Sequence, residues 1–125
     1  MKLNERDYQL LIHIVKHCRE VNLALQHFGN DKTNFMKDAV FLNACSMPIL
    51  QIGELAKHLS DDIIKLTKNI PWRQIKGMRD FFVHDYQSMD KEVIWDTVVN
   101  GIPDLFKKCK ALLKEYHKNK NVSQR

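Results

Sequence analysis

The chain has 125 residues, of which 44% are hydrophobic and 28% charged, the makeup of one soluble globular domain with its own core. Four Gly and three Pro are too few for a turn-rich β-sandwich or a low-complexity chain. Three cysteines (Cys18, Cys45 and Cys109), far apart and without CxxC spacing, argue against a disulfide framework or a zinc knuckle. The net charge of +5 is concentrated at one end: residues 107–125 carry +6, and the remaining 106 residues sum to −1.

Asn4, with Asp7 three residues on, reads as a helix start. From there Leu11, Ile14, Cys18, Val21, Leu25 and Phe28 recur at helical spacing, and Gly29 follows as a stop. A second helix is expected to begin between Asp31 and Asn34 and to reach about Leu59. Pro48 should kink or split it, because proline removes a backbone donor and clashes with the preceding turn. Ser60-Asp61-Asp62 caps a short helix from Ile63 to Thr67. Pro71 opens another, with Trp72, Ile75, Met78 and Phe82 on one stripe. Ser88 or Asp90 caps a helix through Val93, Ile94, Trp95, Val98 and Val99, which Asn100-Gly101 should end. Pro103 then opens the last helix, along Ile102, Phe106, Cys109, Leu113 and Tyr116. No segment alternates with a period of two. The expected fold is therefore all-α, an antiparallel bundle of four or five helices in a single domain over residues 1–118, with a basic tail at 119–125. No stretch approaches a membrane span and the N-terminus lacks an apolar signal core, so a cytoplasmic protein is expected.

The chemistry-bearing residues fall in one run, PWRQIKGMRDFFVHDY, in which Arg79, His84 and Tyr86 form an R-x4-H-x-Y pattern with Asp80 directly after the arginine. The bare R-x4-H pattern is common by chance, and a surface ion-pair set with Asp80 and Asp85 would explain it. With Gln51-Ile52-Gly53-Glu54-Leu55 upstream and Val93-Ile94-Trp95-Asp96 downstream, however, the run closely resembles the HepT-like branch of the HEPN superfamily, from about Asp7 to Leu113.

That resemblance implies a metal-independent endoribonuclease with no cofactor. It also implies a toxin of a toxin–antitoxin pair, silenced when a nucleotidyltransferase antitoxin attaches AMP to Tyr86. Arg and His suit cleavage through the neighbouring 2′-hydroxyl. Imidazole takes and returns the proton, while guanidinium holds the charge growing on phosphorus. On this reading Arg79 and His84 are catalytic and Asp80, one turn before His84, supports the imidazole. On a helix Arg79 and His84 diverge by about 140° and roughly 7.5 Å, so one copy makes a poor closed site. A homodimer placing two such helices at one cleft would supply two histidines, as the family resemblance also implies. Tyr86 joins the cleft only where the helix ends or loosens near Asp85. An added nucleotide would fill a cationic cleft and mimic RNA.

Rival readings are a non-catalytic helical adaptor or substrate-binding subunit of a nucleotidyltransferase, and an RNA-binding module using the lysine-rich tail. Neither DNA nor a membrane is an expected partner. His13 and His17 have the spacing of a metal pair but no apparent third ligand, so no metal site is expected. Trp72 and Trp95 read as core or dimer-contact aromatics. Gly53 reads as a close-packing position, and Glu54 as a cap on a neighbouring backbone or a partner of Arg79 or Arg73.

Overall fold

The computed structural model describes the backbone of residues 3–85 and 90–123 and the side chains of residues 3–83 and 90–117. Among them there is no strand. The order is α1 (Glu5–Phe28), α2 (Lys32–Lys37), α3 (Ala39–Ala56), α4 (Asp61–Leu66), α5 (Trp72–Asp85), α6 (Lys91–Asp96), a π-helical turn at Thr97–Gly101, and α7 (Ile102–Ser123). α3 lies at the centre, against α1 on one side and α5 on the other, and α7 packs along α1. This all-α bundle is the architecture expected from the periodicities.

α1 begins and ends where its sequence requires. Asn4 caps it by accepting a hydrogen bond from the Asp7 amide at 2.7 Å, and Gly29 follows Phe28 at φ +93°, a positive φ that favours glycine. Leu11, Ile14, Cys18 and Val21 are buried as the spacing predicts. Asp7 does more than start the helix. Its buried carboxylate accepts hydrogen bonds from the Ser60 amide at 3.0 Å and the Ser60 hydroxyl at 2.5 Å, fastening α1 to the start of α4.

Two expected helix boundaries move. The long second helix breaks at Asp38, not at Pro48. The Asp38 side chain accepts from the Val40 and Phe41 amides, so it caps a new helix, and Pro48 is buried inside α3. Local capping there outweighs helix propagation, whereas the close packing of Cys45, Ile49 and Ile52 in the core carries the helix through the proline. Further on, Asn100-Gly101 does not end a helix. The backbone stays right-handed from α6 through the π turn into α7, with the Ile102 amide bonded to the Thr97 carbonyl. One extra residue is thus absorbed without breaking the rod.

α3 also departs from the expectation that no segment matches a membrane span, since its 18 residues are long and apolar enough to cross one. Its environment explains the composition: it is the central helix, and Phe41, Cys45, Ile49, Ile52 and Ala56 are buried against its neighbours. A helix walled in on two sides needs apolar residues around most of its circumference.

The aromatic residues bind the ends of the bundle. Phe41 stacks on Phe28 and meets Phe35 edge-on, and Trp95, half-buried, leans on Phe35 and packs against the core. At the other end Tyr8 stacks on Tyr116 at 4.2 Å, and the Tyr116 hydroxyl donates to Glu5 at 3.0 Å, closing α1 onto α7.

Candidate active site

α5 is held at its start by a short polar relay. The buried Trp72 donates its indole N–H to the Thr67 hydroxyl at 2.8 Å, and that hydroxyl donates to the Ile63 carbonyl at 2.6 Å. A buried indole and a buried threonine both need partners, and each supplies the other's. The relay fixes the turn between α4 and α5 and hence the direction in which α5 leaves it.

Farther along, α5 crosses α3 at Gly53. A methyl group in place of the glycine hydrogen would stand 2.8 Å from Arg79 Cβ and 3.0 Å from the Ile75 carbonyl oxygen. Only glycine lets the two helices approach this closely. The next residue of α3, Glu54, then stands beside the guanidinium of Arg79. Arg79 donates from Nε to Glu54 Oε2 at 2.6 Å and from Nη1 to Asp80 Oδ1 at 2.9 Å. Asp80 first, then Glu54, raises the Arg79 pKa above its ordinary value, so the guanidinium is charged throughout the working range. Its side chain remains 27% exposed, open to a ligand while held from behind.

The sequence left three partners open for Glu54, and the structure selects Arg79. Asp80, expected to support His84, makes its described hydrogen bond to Arg79. α5 is continuous through positions 79, 80 and 84, so the spacing of the R-x4-H pattern is helical throughout. The His84 side chain and all of Tyr86 lie outside the described residues, as does any contact between Asp80 and His84. His17 stands with Nδ1 against Glu20 Oε1, and no cluster of metal-ligating side chains occurs among the described residues.

An apolar groove of about 430 Å³ runs between α3, α5 and the stretch from α6 through the π turn into α7, lined by Ile49, Gln74, Met78, Phe81, Val93 and Thr97 among others. Phe81 and Val93 are exposed there, and Val83 is exposed farther along α5. No periodicity argument singled out this groove, because it forms from elements distant in sequence: α3, α5 and the run from α6 through the π turn to α7.

The description "Ribonuclease HepT-like" belongs to a family model that matches residues 11–112, from the second turn of α1 to the middle of α7 and across the whole Arg79 site. The chain belongs to the HepT-like family. A relative in Caldanaerobacter subterraneus subsp. tengcongensis, provisionally named an RNase, is 31% identical over 105 residues, covering 84% of this chain and 92% of the relative. Another, provisionally named an RNase in Methanocaldococcus jannaschii, is 33% identical over 90 residues, or 70% of this chain and 74% of that one. The probable ribonuclease HepT of Thermococcus cleftensis is 41% identical over 63 residues, half of this chain and 57% of its own length. No solved structure matches the chain significantly.

Proposed function

We propose that this HepT-like chain is an endoribonuclease that cuts RNA at a phosphodiester through the neighbouring 2′-hydroxyl, with no metal in the reaction. The observation that carries the reading is the Arg79 guanidinium, charged, partly open and fixed by two carboxylates on the helix that also contains position 84. A guanidinium so placed suits the charge that grows on the phosphoryl oxygens in the transition state. His84 serves as the acid or base, taking the 2′-hydroxyl proton or protonating the departing 5′-oxygen. Relatives named as RNases support the substrate class.

One copy supplies one histidine in the motif, whereas the reaction uses a base and an acid. A homodimer that brings two α5 helices to one cleft provides both. The exposed Phe81 and Val83, flanking the polar motif residues, support such an interface. In the cell the reading is that of a cytoplasmic toxin whose antitoxin, a nucleotidyltransferase, transfers AMP to Tyr86 and blocks the cleft.

Expression of the chain alone tests this. Wild type should arrest growth and fragment total RNA, and His84→Ala should do neither while keeping its helicity and its dimeric mass. Cleavage by the purified protein should survive excess EDTA. Harmless expression of a folded wild-type dimer would instead favour an adaptor that only docks a nucleotidyltransferase.

A further inference from the structure

The Gly53-Glu54 pair of α3 forms a seat for Arg79, and we infer that Glu54 is a positioning residue for RNA cleavage, acting through the guanidinium. This rests on the ribonuclease reading above. Three observations lead to it. Gly53 brings the α3 backbone to within contact of the Arg79 Cβ and amide, so the root of the side chain has one place to stand. Glu54 Oε2 then binds Nε, the nitrogen nearest that root, at 2.6 Å. Asp80 holds the Nη1 nitrogen from the same helix, one residue away. A guanidinium is planar, so hydrogen bonds at Nε and Nη1 fix its plane as well as its position. The forked N–H groups beyond those two bonds can meet phosphoryl oxygens without a search over rotamers.

Charge balance points the same way. Two carboxylates on one guanidinium leave the immediate cluster at −1, which does not favour binding a polyanion. Nor does a surface ion pair of this exposure contribute much stability. What Glu54 does supply is orientation, and orientation acts on the chemical step more than on binding.

Kinetics on a labelled single-stranded RNA oligonucleotide of mixed sequence separate these effects. Glu54→Ala should lower kcat by roughly 10- to 100-fold, the scale of a misplaced catalytic group, with KM unchanged or lower because an anion near the RNA is gone. Glu54→Gln keeps the length and an acceptor for Nε, so it should recover kcat to within about threefold of wild type. Circular dichroism and melting on the same samples check the fold. Glu54→Ser offers a second truncation if the alanine variant fails to fold.

A kcat at the wild-type level in a folded E54A, with Arg79→Ala inactive, would overturn the role of Glu54 and leave the ribonuclease reading standing. Equal losses in E54A and E54Q would show that the carboxylate acts through its charge, and would also overturn it. If wild type and R79A both leave the RNA intact, the ribonuclease reading itself fails and the role of Glu54 goes with it.

Discussion

At the scale of single residues, two glycines on neighbouring helices make opposite demands, and the difference locates the site. A Cβ at Gly53 would collide with the Arg79 Cβ at 2.8 Å and the Ile75 carbonyl, both anchored to the backbone of α5. A Cβ at Gly77 would meet nothing within 4 Å. Alanine in a helix interior gains about 0.5–1 kcal/mol over glycine when it has room. Overpacking a close contact costs about 1–3 kcal/mol. Gly77→Ala is therefore expected to raise the urea midpoint, and Gly53→Ala to lower it by a net ~1–2 kcal/mol. Gly53→Ala should also lose RNA cleavage in the surviving folded fraction, because the helix carrying Arg79 must move outward. Equal stabilisation by both substitutions would refute the close approach.

At the scale of elements, the chain shows which signals a sequence carries and which it hides. The ends of α1, the cap at Ser60 and the stripe on α5 were legible because each depends on residues within one or two turns of one another. The break at Asp38 was misplaced to Pro48 because proline is the stronger local signal, while the packing that overrides it comes from α1 and α5. Gly101 and Pro103 likewise suggested a stop that the π turn removes. The Arg79 motif was legible as a pattern. Its pairing with Glu54 was legible only as one of three alternatives, since Glu54 lies 25 residues away and the crossing at Gly53 is what brings it to the guanidinium. If Asp38 is the boundary, its side chain caps α3. Asp38→Ala should then cost about 1 kcal/mol, the usual value of such a cap. Pro48 lies inside the helix, so a break there has no cap to lose. Chemical denaturation of the Asp38 variant checks this, and an unchanged midpoint would remove Asp38 as the start of α3.

At the scale of the whole molecule, the core links stability to pH through its thiols. Cys18, Cys45 and Cys109 are free and buried in one continuous core that joins α1, α3 and α7. Burial pushes the Cys18 thiol up to about 12, slightly offset by Arg19, and the Cys45 thiol up to about 11 from an ordinary 9.0. Burial raises Cys109 further, with the neighbouring Cys18 adding to it. In the unfolded chain these groups ionise near pH 9, whereas in the folded chain they stay protonated. Unfolding therefore releases protons above pH 9, and the stability present below that pH is lost as pH rises towards the folded-state values. For Cys45 the window runs from about 9 to about 11. Urea midpoints measured between pH 8 and 11 should hold steady at first and then fall. Cys45→Ala, less stable at pH 8 for its lost packing, should fall less steeply because one titrating thiol is gone. The same burial should keep all three thiols silent to a thiolate-selective reagent at pH 8, with all three reacting once urea unfolds the chain. A thiol that reacts in the folded protein, or a variant with the wild-type slope, would show that the residue does not sit in the closed core described here.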